Sequence, residues 1–139
     1  MAGSMSQASP GARARPLSPH LQVWRWHVTL ATSILHRFTG VGLYAGLLIL
    51  AGWALALASG PEAYGVYTGL LGSILGKIVL FGITVCVFFH MANGVRHLAW
   101  DFGKGFGLRT AGATAWAALA FGAVAAVVVW AIAALTGAL

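Results

Sequence analysis

Three long apolar stretches dominate the chain, and most of its polar residues are gathered at their ends. The stretches cover about residues 30–58, 73–100 and 110–135. About 20 apolar residues are enough to cross the hydrocarbon core of a bilayer, because an α-helix rises about 1.5 Å per residue. The pattern therefore predicts three transmembrane helices.

The breaks between these stretches have the composition of turns and interfacial segments. A Gly-Pro pair within residues 59–62 ends the first stretch, since that dipeptide rarely continues a helix. Residues 63–72 carry Tyr64 and Tyr67, which are three apart and predict a short helical turn with its aromatics at headgroup depth. A glycine-rich, basic loop at residues 101–107 separates the second stretch from the third.

Composition excludes a water-soluble domain and argues against nucleic-acid binding. The chain is 60% hydrophobic and only 7% charged, whereas a soluble domain carries about 25% charged residues to cover its surface. The net charge of +6 does not indicate a nucleic-acid partner, because the basic residues lie at the ends of apolar stretches. We expect an all-α membrane protein in which residues 1–29 precede a three-helix domain of residues 30–139.

The distribution of positive charge predicts the orientation in the membrane. One basic group precedes or begins the first span, and another flanks the loop between the second and third spans: Arg13, Arg15, Arg25 and Arg37, then Arg96, Lys104 and Arg109. Only Lys77 lies near the opposite membrane face. Positive residues accumulate on the cytoplasmic side, so residues 1–29 are expected to be a cytoplasmic segment and the C-terminus periplasmic.

Ionisable residues inside the predicted spans converge on one membrane face. Ionisable groups are costly within a bilayer and often mark a function. Ser33, His36 and Arg37 lie near the start of the first span, and His90 and His97 lie near the end of the second. Because successive spans run in opposite directions, these two groups should meet at the cytoplasmic end of the bundle.

The spacing of these residues fits a haem b. His90 is the deeper of two histidines seven residues apart, and a glycine at position 94 would let a flat group approach the backbone. His90 is therefore a candidate axial ligand of the iron. His36, Arg37 and His97 offer partners for the propionates, since charge-assisted hydrogen bonds are strong.

A second axial ligand is missing from this chain, because His20 and His27 lie near or outside the interface. It would have to come from another subunit. The residues alone leave other interpretations open. A histidine within a span is often a packing residue, and the pairs His36–Arg37 and Arg96–His97 are also typical of side chains that reach for the interface. Asp101 lies four residues after His97 and could pair with it or with Arg96.

Three motifs in the chain resemble the succinate dehydrogenase cytochrome b556 subunit family. They are residues 15–21, Arg-Pro-Leu-Ser-Pro-His-Leu; residues 33–40, Ser-Ile-Leu-His-Arg-Phe-Thr-Gly; and residues 90–101, His-Met-Ala-Asn-Gly-Val-Arg-His-Leu-Ala-Trp-Asp. They occur in the family's order, at the expected spans, and are distributed from residue 15 to residue 101 of the 139-residue chain. The residues of the first motif and the Trp-Asp pair that ends the third resemble alphaproteobacterial and mitochondrial members of the family more than enterobacterial ones.

The resemblance implies an anchor in a larger enzyme rather than a chain that oxidises succinate by itself. The expected partners are a flavoprotein subunit, an iron–sulfur subunit and a second hydrophobic anchor that shares the haem b. It implies that His90 is the haem-iron ligand, that His36, Arg37 and His97 lie near the propionates, and that Ser33 and Arg37 line a ubiquinone site.

The expected location is the bacterial inner membrane, in preference to the mitochondrial one. The alternatives are an anchor of the fumarate reductase type or a purely structural anchor without haem. A channel is disfavoured, because the third span carries no ionisable residue to line a pore.

Overall fold

The computed structural model describes residues 24–139, and this part of the chain is built of α-helices without a β-strand. The helices are α1 (Val28–Ser59), α2 (Pro61–Gly72), α3 (Ile74–Asp101) and α4 (Leu108–Leu135). Three of them, α1, α3 and α4, are long and apolar enough to cross a membrane. The prediction of three transmembrane helices is therefore confirmed, with ends shifted by only a few residues.

Local sequence signals explain where the helices begin and end. Gly60 has a φ of 109°, which glycine adopts without strain, and Pro61 then occupies the first turn of α2, where its missing N–H costs nothing. The predicted interfacial turn is thus a complete twelve-residue helix. The Ser73 side chain caps α3 by accepting the Gly76 N–H at 3.1 Å.

The short helix α2 lies against the far end of the bundle from the histidines. The Tyr67 hydroxyl donates to the carbonyl oxygen of Ile49 on α1 at 2.8 Å. A methyl group in place of the hydrogen of Gly52 would lie 2.6 Å from that hydroxyl oxygen. The bare backbone at Gly52 therefore gives the tyrosine its place on α1.

Helix α3 packs against both other spans, and small residues allow the close approach. The buried residues of α4 are all small: Ala115, Ala118, Gly122 and Ala126. A Cβ at Gly122 would come within 2.8 Å of the Phe89 Cβ on α3. On the other side, a Cβ at Gly42 of α1 would lie 2.8 Å from the Cys86 sulfur. Membrane helices associate through such close contacts, because lipid gives no hydrophobic force between them.

Most large apolar side chains point outwards rather than into a core. Phe38, Leu55, Ile74 and Trp116 are examples among many exposed hydrophobic residues along the spans. An exposed apolar surface of this extent is not compatible with water and must face lipid or other helices. The chain is a multi-pass membrane protein.

Candidate functional site

Three imidazole rings from α1 and α3 form a stack at one end of the bundle. The rings of His36 and His90 have centroids 3.8 Å apart and are inclined by 14°. The ring of His97 is also stacked with that of His36, at 4.9 Å and 20°. The prediction that the start of the first span and the end of the second lie together is therefore confirmed.

His90 is the deepest member of the stack and is held by a hydroxyl group. It lies eleven residues before the end of α3, or about 16 Å along the helix. Its Nδ1 is 3.1 Å from Oγ1 of Thr39, which also donates to the His36 carbonyl oxygen at 3.1 Å. A hydroxyl has one proton, so both bonds form together only if His90 Nδ1 carries a proton and donates to Thr39. The neutral ring then bears its lone pair on Nε2.

His97 has the same tautomer for a different reason. Its Nδ1 lies 2.7 Å from the carbonyl oxygen of Asn93, and a carbonyl oxygen can only accept, so Nδ1 carries the proton. His36, in the middle of the stack, has a buried Nδ1 with no hydrogen-bond partner among residues 24–139. A buried polar atom of this kind is uncommon in a complete structure.

A second polar cluster surrounds the guanidinium of Arg96, beside the stack. The Nε atom donates to the Thr114 hydroxyl at 3.1 Å. Nη1 donates to the Thr32 hydroxyl at 3.3 Å and to Oδ1 of Asn93 at 3.1 Å. Nη2 donates to the carbonyl oxygen of Ala111 at 3.1 Å. This one side chain therefore joins α1, α3 and α4.

Arg96 is 6% exposed, and Asn93 and Thr32 are fully buried. The interpretation of Arg96 as an interfacial side chain reaching for the membrane surface is therefore wrong. Its acceptors among the described residues are neutral, so Asp101 is not its partner. The guanidinium carbon also lies 4.1 Å from the ring centroid of Trp100, in a cation–π contact.

The residues predicted for a quinone site lie at the same end of the bundle. Ser33 and Arg37 are one turn apart on α1, Ser33 half-buried and Arg37 exposed. Within residues 24–139 neither side chain forms a hydrogen bond with another side chain. His27 precedes α1 and is exposed, while the motif of residues 15–21, with His20, lies outside the described residues. The roles of Ser33 and Arg37 stay predictions.

Sequence reasoning assigned no role to three residues that hold this site together: Thr39, Asn93 and Thr32. Thr39 and Asn93 both lie within the quoted motifs, and each is a polar residue inside an apolar span. A polar side chain within a lipid-embedded helix needs a hydrogen-bond partner. Its presence in an apolar span was therefore the sequence feature that could have identified these residues. The partner itself could not be read from the sequence, because it lies on another helix in two of the three cases.

Comparison with known proteins agrees with this architecture. Residues 11–129 match the family described as "Succinate dehydrogenase/Fumarate reductase transmembrane subunit". The chain belongs to this family. The match covers all three motifs and most of the three transmembrane helices.

Curated relatives of this transmembrane-subunit family cover most of the chain. The succinate dehydrogenase cytochrome b556 subunit of Paracoccus denitrificans is 38% identical over 81% of this chain and 87% of its own length. The protein of the same name from Rickettsia felis is 34% identical over 84% of this chain and 90% of its own length. A mitochondrial cytochrome b560 subunit from Sus scrofa is 43% identical over 66% of this chain and 55% of its own.

Proposed function

We propose that this chain is the membrane anchor of a bacterial inner-membrane succinate dehydrogenase, where it binds haem b and contributes to the ubiquinone-reduction site. It would act with a flavoprotein subunit, an iron–sulfur subunit and a second hydrophobic anchor. The observation that carries the proposal is His90: an imidazole deep in the helix pair, with Nδ1 bonded to Thr39 and Nε2 left with a lone pair.

The donor set of this chain fits a haem better than a bare metal ion. Residues 24–139 contain no group of three or more His, Cys, Asp or Glu side chains that could hold a metal. A porphyrin would itself supply most of the ligands of its iron, so this chain would need to contribute only one imidazole, that of His90. Beside Gly94, one turn from His90, an added Cβ would meet nothing within 4 Å, which leaves room for a flat group.

The second axial ligand would come from the second anchor. The rings of His90 and His97 both stack on that of His36, so the described residues would hold the haem iron through His90 and would leave the second imidazole to a partner subunit. His27, the other histidine in the described residues, precedes α1 and is exposed. A shared haem would then also bind the two anchors to each other.

The other polar residues of this end would hold the haem at its propionates. His36, Arg37 and His97 are assigned this role, because they lie between His90 and the predicted cytoplasmic surface. The bond from His97 Nδ1 to Asn93 leaves Nε2 for a propionate, to which it can donate only when the ring is protonated. When bound, haem b supplies a one-electron redox centre within the membrane.

The quinone site would be formed in part by Ser33 and Arg37. A quinone carbonyl gains negative charge on reduction, and a hydroxyl donor beside a guanidinium stabilises such charge where water is excluded. Neither side chain is used by a partner side chain within residues 24–139, so both can serve a ligand. The remaining donors would come from the second anchor and the iron–sulfur subunit.

Replacement of His90 by Leu tests the ligand assignment. In membranes containing the assembled complex, His90→Leu is expected to remove or strongly alter the Soret and α bands of haem b. His27→Leu, at an exposed histidine of the same chain, is expected to leave the spectrum unchanged. An unaltered spectrum in His90→Leu would refute the role of His90, and a wild-type complex without any b-type band would favour the purely structural anchor.

Ser33→Ala and Arg37→Leu test the quinone assignment. Both are expected to lower ubiquinone reduction by at least roughly tenfold, since loss of one hydrogen bond to a developing charge costs more than about 1.4 kcal/mol. Reduction of an artificial dye that accepts electrons upstream of the anchor should be retained. Equal loss of both activities would indicate failed assembly instead of a damaged quinone site.

An anchor of the fumarate reductase type is the second candidate, because the family description includes that enzyme. The relatives from Paracoccus and Rickettsia that cover most of the chain are named succinate dehydrogenase subunits. This favours succinate oxidation as the reaction of the whole complex. The ratio of succinate oxidation to fumarate reduction in purified complex would decide between them.

A further inference from the structure

We infer that Thr39 is a positioning residue for the haem ligand. Its hydroxyl oxygen accepts a hydrogen bond from the Nδ1–H of His90. This bond fixes the orientation of the ring and makes Nε2 a better electron donor to iron. This inference rests on the proposed function, because it needs His90 to be an axial ligand. It adds a residue on α1 to a ligand site whose imidazole lies on α3.

Thr39 can keep both of its hydrogen bonds in only one arrangement. Its proton is directed to the carbonyl oxygen of His36, three residues earlier on the same helix, at 3.1 Å. The oxygen lone pairs then face His90 Nδ1, also at 3.1 Å. A second tautomer of His90, with its proton on Nε2, would break this arrangement and would also occupy the nitrogen that must bind the iron.

The ring of His90 is confined on its other sides as well. The imidazole of His36 covers one face at a centroid distance of 3.8 Å. A Cβ at Gly40 would lie 3.4 Å from the ring carbon Cε1, so the backbone of α1 also passes close to the ring. All three contacts come from one turn of α1, formed by His36, Thr39 and Gly40. This turn therefore restricts the position of the His90 side chain of α3.

Hydrogen bonding at the far nitrogen tunes a metal-bound imidazole. When Nδ1–H donates to an acceptor, electron density at Nε2 rises, and the ligand becomes a better donor. A better donor favours the ferric over the ferrous state of the iron. Loss of the Thr39 hydroxyl should therefore raise the midpoint potential of the haem, while the proton stays on Nδ1.

The chain provides a matched control for this bond. Thr84 of α3 donates its proton to Leu80 O of its own helix at 2.8 Å and accepts from the Trp130 ring N–H of α4 at 3.1 Å. Thr84→Val thus deletes the same kind of bond, a hydroxyl accepting from a ring N–H of another helix, at a distance from the histidine stack. Any effect that comes only from loosened helix packing should appear in both variants.

The experiment compares Thr39→Val, Thr39→Ser and Thr84→Val in the assembled complex. The haem potential is measured by redox titration at the α band, together with the low-spin ferric EPR spectrum. Thr39→Val is expected to raise the midpoint potential of the haem. A roughly tenfold change in the equilibrium between the ferric and ferrous states corresponds to about 59 mV for a one-electron couple. Thr39→Ser, which keeps the hydroxyl, and Thr84→Val should match the wild type.

Three results would overturn the inference. One is a Thr39→Val complex that keeps its haem at the wild-type potential, and another is an equal shift in Thr84→Val. A third is a Thr39→Ser variant that behaves as Thr39→Val does. If Thr39→Val does not assemble, Thr39→Ala carries the same expectation, since it removes the hydroxyl without adding volume.

The failure of this inference differs from the failure of the proposed function. If His90→Leu loses the haem bands while Thr39→Val retains the wild-type potential, only the role of Thr39 is wrong. If His90→Leu retains the bands, the ligand assignment itself fails. The two variants therefore report on separate claims.

Discussion

The two sides of helix α3 differ in how many of their polar atoms have hydrogen-bond partners among the described residues. Towards α4, small residues close the interface, and Arg96 donates there to Thr114 and Ala111, in addition to Asn93 of its own helix and Thr32 of α1. Towards α1, the histidines are only half-buried, and the buried Nδ1 of His36 has no partner among the described residues. One side is a finished helix interface, whereas the other still presents polar atoms that a ligand or partner can use.

This difference distinguishes the polar residues that join the helices from those that we propose to bind the haem, although both kinds occur in the same twelve-residue motif at the end of α3. Asn93 and Arg96 are buried, and the Asn93 side-chain oxygen accepts from the Arg96 guanidinium, as expected of a structural network in a low-dielectric interior. His90 and His97 have one nitrogen engaged and one available. In this chain, the histidines that we propose to bind a ligand are therefore the ionisable residues whose bonding capacity the described residues leave partly unused.

Among the variants that test this contrast, Arg96→Met is expected to cause the largest loss of stability. The substitution keeps an unbranched side chain but removes the guanidinium and its hydrogen bonds, so that the fully buried Asn93 loses the partner of its side-chain oxygen. A buried acceptor without a partner costs about 1–3 kcal/mol, and contacts with α1 and α4 are lost as well, so we expect a loss of stability on the order of 3 kcal/mol. The melting temperature and yield of the purified complex measure it.

Arg109→Met is the control for that variant, because Arg109 is exposed at the start of α4. It should change the melting temperature little. If Arg96→Met melted like Arg109→Met, the network around Arg96 would not be what joins the three helices.

A smaller effect is expected from Gly122→Ala, which tests the closed side of α3. The added methyl group would lie 2.8 Å from the Phe89 Cβ and 3.0 Å from its Cα, so the two helices must separate. Overpacking of this kind costs about 1–3 kcal/mol. Gly112→Ala is the matched variant in the same helix, since a Cβ there meets nothing within 4 Å, and thermal unfolding should show no loss for it.

The smallest effect is expected from Trp130→Phe at the other end of the same interface. The Trp130 ring N–H donates to Thr84 at 3.1 Å, but the Thr84 hydroxyl keeps its bond to Leu80, so no donor is left unsatisfied. Hydrogen bonds between membrane helices contribute about 0.6 kcal/mol on average. Trp116→Phe, at a tryptophan of α4 that is 65% exposed, should be neutral in the same unfolding measurement.

Gly122→Ala and Trp130→Phe should both leave the spectrum of the proposed haem unchanged, because they lie on the side of α3 that packs against α4. A spectral change in Trp130→Phe, without a change in Thr39→Val, would reverse the assignment of the two sides. The contrast between the sides is therefore open to direct contradiction.

The gross architecture was predictable because a bilayer permits few solutions. A run of apolar residues as long as 30–58 must become a helix, since every backbone N–H and C=O in lipid needs a partner within the segment. The Gly-Pro pair at 60–61 had to end it. From the alternation of direction between spans, the meeting of His36 with His90 and His97 followed without any knowledge of contacts.

The amino-acid sequence by itself determined the number of spans, their ends and which polar residues share one end of the bundle. Only the tertiary structure decided that Arg96 is buried in a hydrogen-bonded network, that Thr39 contacts His90, and that both other imidazole rings stack on that of His36. Spacing along a helix gives the height and angle of a side chain on its own axis. The rotation of one helix against its neighbour, set here by small residues such as Gly42 and Gly122, decides which of those side chains meet.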